Sequence, residues 1–371
     1  MSTTLHRRDF IRKAGLASGA AVLAPYWLSA ALNAGGNKDK SLHVVLCILG
    51  GGVRKSDTLG MQWGNLMPHM FAGTIPIDRR LSEGLPQLSH VFNETLQEQG
   101  TLFTQFSYAK GELSHYNAHN ALLTGCYNDS RLSYRDTPNL PTIFDVIERE
   151  KQIAEIEGMG WIANALGNYN SLGGAYAVNQ NLDNWGFGTR NVLSQEIDRT
   201  LSSWGLASIE AFEDVRSIAA ASNYIADKRP LFTAFNLQGA DCCHYDFSRY
   251  CRNLHVVDYA LACMWKRIQD TENMSENTIL IVVPEHGRNL THNMLADDFG
   301  FYGCDHNDDT AREIFCLVSG PPHLVNQNLI IDSSVQTIDV APTIAQCVGV
   351  DPLKISQLFS GRPLLEAFIK V

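Results

Sequence analysis

The chain contains no C-x2-C pair, no low-complexity run, no internal repeat and no basic stripe interleaved with aromatic residues. Without paired cysteines a zinc ribbon is excluded. The scatter of nine cysteines, with one adjacent pair at Cys242 and Cys243, equally excludes a small disulfide scaffold. Cysteines so placed read as small buried apolar residues. The missing basic stripe and a net charge of −10 speak against nucleic acid as a partner, and the acidity reads as solubility. Nor is there a phosphate-binding P-loop: Lys55-Ser56 follows a glycine run, but Arg54 stands where that motif needs glycine.

A long unbroken apolar run is also lacking. The stretch Ala14 to Ala31 is interrupted by Gly15, Gly19, Pro25 and Ser29, whereas a membrane anchor requires roughly 18–20 strongly apolar residues. It follows His6-Arg7-Arg8-Asp9-Phe10-Ile11-Arg12-Lys13, whose adjacent arginines and nearby aromatic resemble a twin-arginine export signal. Residues 1–34 are therefore expected to be a signal peptide, cleaved after Ala31 or Ala34, delivering a periplasmic or otherwise exported protein with no stable membrane span. The rest of the 371-residue chain is ample for one large domain, expected over residues 42–371.

What is present along that domain alternates. The apolar run His43–Leu49 ends in Gly50-Gly51-Gly52 and reads as a buried strand with a tight loop. Leu102–Tyr108, Pro230–Leu237, Thr278–Val283 and Ile314–Ser319 are further strand candidates. Helical spacing is expected over Leu85–Gln99, Pro141–Glu150, Phe247–Ile268 and Ala341–Val348. Alternation of this kind predicts an α/β fold, a three-layer αβα sandwich around a mostly parallel central sheet. Ligands of such sheets gather beyond the carboxyl ends of the strands. There the sequence places Asp241 and His244 and Glu285-His286-Gly287-Arg288, while Asp305-His306 come just before the strand Ile314–Ser319. One Asp–His pair is commonly structural. Three at topologically equivalent places point to a divalent metal with mixed imidazole and carboxylate ligands, namely zinc, iron or manganese.

Several of these motifs, taken in order, resemble the alkaline phosphatase superfamily. The resemblance rests on Ala121-Leu122-Leu123-Thr124-Gly125, Pro141-Thr142-Ile143-Phe144, Glu285-His286-Gly287, Asp305-His306 and Ile338-Asp339-Val340-Ala341-Pro342-Thr343. It spans roughly residues 43–365 and comes close to a twin-arginine-exported, sulfatase-like branch, with Ser114-His115-Tyr116 and Glu285-His286-Gly287-Arg288 midway between two patterns. It implies a hydrolase or transferase acting on a small anionic phosphate or sulfate ester. Metal ligands would be Asp241, His244, Glu285, His286 and His306, with Ser114, His115 and Arg288 as catalytic residues.

The departures are as informative. The family's first-strand aspartate is replaced by Leu49 and glycines, His115 holds the nucleophile's position, and His119 replaces the sulfatase arginine. One of two metal sites is thus expected to be damaged, so that one metal is bound rather than two. Water or Ser114 would then attack, and His115 would serve as ligand or general base. His115 and His119 lie on one helix face, where capping or packing is an equal reading. Arg288 would clamp the anion or pair with Asp305 or Asp308. The alternative function is a catalytically inactive protein that keeps this fold as a binding or assembly module for an envelope protein partner. Asp339 is expected to serve the fold, and His69, His90, His255, His292 and His323 to be ordinary histidines.

Overall fold

The computed structural model describes residues 42–369 apart from 134–135, 154–157, 164–168, 179–191 and 207–212; the expected signal peptide lies outside the described residues. Among the described residues, eight strands form one sheet: β1 (His43–Leu49), β2 (Gly100–Ser107), β3 (Met159–Ile162), β4 (Phe232–Leu237), β5 (Thr278–Pro284), β6 (Glu313–Ser319), β7 (Leu329–Ile331) and β8 (Val335–Gln336). Their order is β3-β4-β1-β5-β6-β2-β7, with β8 also paired to β2. Pairing is parallel except where β6 meets β5 and β2, so β6 alone runs against the rest. The reversal matters for function. It brings the start of β6 to the same edge as the carboxyl ends of β1, β2, β4 and β5.

β1 is buried along its whole length, and its side chains divide strictly by parity. Val45, Cys47 and Leu49 join one apolar core, while Val44, Leu46 and Ile48 join the other. The first core is closed by α3 (Glu213–Lys228) and α4 (Phe247–Asp270), the second by α1 (His115–Thr124), α2 (Ile143–Lys151) and α5 (Val340–Cys347). The result is the expected αβα sandwich. α2 begins at a capping box between Thr142 and Asp145, and α1 ends at Gly125 in the left-handed region (φ +63°). Among the described residues, no helix is long and apolar enough to cross a membrane. All nine cysteines are free thiols, seven of them buried.

The helix expected over Leu85–Gln99 does not form. Its main-chain groups are spent on the neighbouring segment instead: Leu96 and Gln97 donate to the carbonyls of His69 and Met70, and the Ser89 carbonyl accepts from His69. Leu85, Leu88, Val91 and Phe92 pack on the core from an irregular path, which reproduces apolar spacing without a helix. Asp339, as expected, serves the fold, accepting from the amides of Gln336 and Arg362.

His69 anchors this segment. Its Nδ1 lies 2.8 Å from Asp258 Oδ2 and its Nε2 3.2 Å from the Ser89 carbonyl, two acceptors that require a doubly protonated ring. Burial opposes that charge, but the hydrogen bond and charge of Asp258 outweigh it and raise the His69 pKa. Stability from this pair is fully present below the unfolded value of about 6.5 and is lost as pH rises through the higher folded value. The gap in urea midpoint between the wild type and His69→Gln should therefore shrink as pH is raised above about 6.5. A gap that stays constant above pH 6.5 would mean that the folded ring's pKa is not raised.

Candidate metal centre

Five chain segments meet at the edge created by the reversed β6. The glycine loop 50–52 follows β1, and α1 follows β2. Asp241 and His244 follow β4, Glu285 and His286 follow β5, and Asp305 and His306 precede β6. Close approach at this point requires glycine. A Cβ on Gly51 (φ +82°) would stand 2.1 Å from the Asp241 amide nitrogen, and one on Gly50 would stand 2.0 Å from the Leu237 carbonyl oxygen. In place of a first-strand carboxylate the loop supplies a main-chain donor, Gly51 N to Glu285 Oε1 at 2.5 Å.

Around this loop the side chains converge. His115 spans two carboxylates, with Nδ1 2.7 Å from Glu285 Oε1 and Nε2 3.0 Å from Asp241 Oδ1. Asp241 Oδ1 also lies 3.1 Å from His244 Nε2 and 3.8 Å from His306 Nε2, while Asp305 stands behind His244 with Oδ1 3.4 Å from Nδ1. His286 Nδ1 lies 2.9 Å from the Gly287 carbonyl, which only accepts. Nδ1 therefore carries the proton and Nε2 presents a lone pair, 3.1 Å from His115 Nδ1. Two triads each offer ligand atoms within 4.8 Å of one another: Asp241, His244 and His306, and His115, His286 and His306.

The electrostatics follow from this packing. Burial by itself would lower the His115 pKa, but the charge of Glu285 and hydrogen bonds to Asp241 and Glu285 raise it to about 10. Burial pushes the Asp241 carboxyl up, yet hydrogen bonds from His115, His244 and His306 hold it far below the carboxylate range. Burial likewise opposes ionisation of Glu285, but the charge of His115 and its hydrogen bond hold that carboxyl well below the usual range. Burial drives His286 down to about 3, so its ring is neutral.

The structure thus brings together Asp241, His244, Glu285, His286, His306 and His115. It places the other two expected residues differently. Ser114 precedes α1 and donates its hydroxyl to Asn117 Oδ1 at 2.9 Å. Arg288 is 2% exposed and directs its nitrogens at main-chain carbonyls: Nε to Gly52 at 2.8 Å, Nη1 to Cys304 at 2.8 Å, and Nη2 to Gly51 at 3.1 Å and to Ala240. Its guanidinium also lies 4.6 Å above the ring of Tyr250, which packs rather than meeting the cluster. Arg288 ties three of the site's loops together. Its recorded partners are these carbonyls, not the carboxylates of Asp305 or Asp308.

Some neighbours were not legible beforehand. His119 places Nδ1 2.7 Å from Glu285 Oε2 but directs its proton at the His115 carbonyl, 2.8 Å away. Tyr169 stacks on His119 at 4.5 Å and accepts from Gln238. Buried Asp214 holds the amides of Gln238 and Gly239, and so sets the turn that carries Asp241. Only the i, i+4 spacing of His115 and His119 signalled any of this. Asp214 and Tyr169 carry no motif.

This donor set suits a divalent transition metal. Imidazole nitrogens and carboxylate oxygens converge from rigid strand ends, and three buried atoms lack any hydrogen-bond partner: Glu285 Oε2, His119 Nε2 and His306 Nδ1. Asp305 behind His244, and the Gly287 carbonyl behind His286, are the outer contacts that fix a ligand imidazole's tautomer.

No protein-family model matches the sequence, and no curated protein sequence does. Solved structures do match in fold. A protein in the alkaline phosphatase superfamily from Vibrio parahaemolyticus aligns with TM-score 0.52 at 16% identity, over 88% of this chain and 70% of that one. The lipoteichoic acid synthase LtaP from Listeria monocytogenes aligns with TM-score 0.51 at 11% identity, over 84% and 73%. For the phosphonate monoester hydrolase of Agrobacterium radiobacter the values are 0.50, 11%, 87% and 78%. The chain has the alkaline phosphatase superfamily fold.

Proposed function

We propose that this chain is an exported, metal-dependent hydrolase or transferase acting on small phosphate or sulfate esters through a modified site. The observation that carries the reading is the convergence of Asp241, His244 and His306 on one point from the carboxyl end of β4 and the start of β6. A phosphonate monoester hydrolase among the structures of like fold supports the ester class. When bound, a divalent metal supplies Lewis acidity toward an ester oxygen. Asp241, His244 and His306 would hold it, with Asp305 orienting His244. Ser114 spends its hydroxyl on Asn117 and Arg288 its guanidinium on carbonyls, so water would be the attacking group and the imidazoles beside the metal position would face the ester's charge.

Those same two placements favour a second reading, a catalytically inactive binding or assembly module in the cell envelope. Elemental analysis of the wild type and of His244→Ala tests the first reading. About one equivalent of zinc, iron or manganese, lost in the variant, is expected, with turnover of aryl phosphates or sulfates by the wild type alone. Metal without turnover across such a panel would favour the module, and no metal in either protein would overturn the reading.

A further inference from the structure

We infer that His115 is a metal ligand, forming with His286 and His306 a three-imidazole transition-metal position that shares His306 with the triad of Asp241, His244 and His306, so that His306 serves one ion in one position or the other. The inference rests on the metal-dependent reading above and goes beyond it, since that reading needs nothing from α1.

The geometry supports it in three ways. First, the spacing is that of atoms around one ion. Two nitrogens each about 2.0–2.1 Å from zinc stand roughly 2.8–3.4 Å apart across octahedral to tetrahedral angles, and His115 Nδ1 lies 3.1 Å from His286 Nε2. Ring centroids of His115, His286 and His306 are 4.6–4.9 Å apart in every pair. Second, the lone pair of His286 has been committed in advance. Its Nδ1 proton is given to the Gly287 carbonyl, so Nε2 of this fully buried ring keeps its lone pair, directed at His115 Nδ1, where it accepts from His115 in the metal-free protein and would be free for a metal. Third, Glu285 Oε1 lies 2.7 Å from His115 Nδ1 and 3.5 Å from His286 Nε2, which adds a carboxylate within the same sphere, while Glu285 Oε2 has no donor.

The sequence change at this place also becomes intelligible. A side-chain carboxylate at Gly50 is excluded by the Leu237 carbonyl, and a Cβ there would also lie 3.5 Å from the His119 ring. The ligand that β1 does not supply arrives instead from the first residue of α1. Three imidazoles with one carboxylate select zinc, copper or ferrous iron over magnesium or calcium, whose preferred ligands are oxygens.

The test is calorimetric titration of the metal-stripped, mature protein with zinc, and its absorption spectrum with cobalt(II), for wild type, His115→Ala, His115→Gln and His244→Ala. Loss of a ligand should weaken zinc binding at least about tenfold in both His115 variants and change the cobalt ligand-field bands. Thermal unfolding of the metal-stripped variants checks that they fold, and His115→Gln keeps a hydrogen-bonding group facing Glu285. Zinc affinity and cobalt bands unchanged in the His115 variants, with binding lost in His244→Ala, would overturn the inference while leaving the metal-dependent reading intact. No zinc or cobalt binding by the wild type would overturn both.

Discussion

Arg288→Ala is expected to cost about 3–5 kcal/mol of folding stability, the range for removing one partner from a buried charged network. The guanidinium makes hydrogen bonds to the carbonyls of Gly51, Gly52, Ala240 and Cys304, so its loss strips donors from three loops at once. It also leaves Tyr250 without the cation above its ring. A fully buried Asp57 lies nearby; burial raises its pKa, while its partner Arg54 and, to a lesser degree, the charge of Arg288 favour its carboxylate. Lysine has one charged nitrogen in place of a planar fork, so Arg288→Lys should recover only part of the loss. Urea denaturation of the three proteins measures this. An anion-clamping arginine would behave in the opposite way, leaving the denaturation midpoint unchanged and abolishing ester binding alone.

Gly51→Ala is expected to be nearly as damaging, at about 2–4 kcal/mol, because overpacking and a left-handed backbone penalise the same methyl group. That methyl would stand 2.1 Å from the Asp241 amide nitrogen and 2.8 Å from its Cα, atoms of main chain that cannot swing aside. To make room, loops 50–52 and 240–241 must part, and the Gly51 amide must leave Glu285 Oε1. Zinc affinity should fall along with stability. Gly300→Ala is the control: Gly300 has the same backbone sign (φ +81°), but no atom lies within 4 Å of its Cβ position. It should show the backbone penalty alone, about 1–2 kcal/mol. Equal losses in the two variants would show that the close approach at Gly51 contributes nothing.

Both predictions concern residues whose types were visible in the sequence and whose roles were not. The glycine run after β1 was legible as a tight loop, because an apolar β-branched run ending in three glycines has few other readings. That its amide would donate to the Glu285 carboxylate was not, since Glu285 is 234 positions away in the chain. The segment 85–99 shows the converse. Its apolar spacing suits a helix, but hydrogen bonds to His69 and Met70 hold it in an irregular path, and local spacing carries no information about such partners.

Alternating apolar runs and turn residues, read from the sequence alone, determined the α/β class, the mostly parallel sheet and the strand ends at which Asp241, His244, Glu285, His286 and His306 stand. Those features are local, set by side-chain period and by the residue types that follow each strand. Tertiary structure alone decided that β6 runs backwards and so carries His306 to the edge occupied by the others. It also decided that His115 rather than Ser114 meets the cluster, and that Arg288 braces the loops from within. Helix rotation and long-range packing settle which of two adjacent side chains faces a site, and both depend on contacts between segments far apart in the chain.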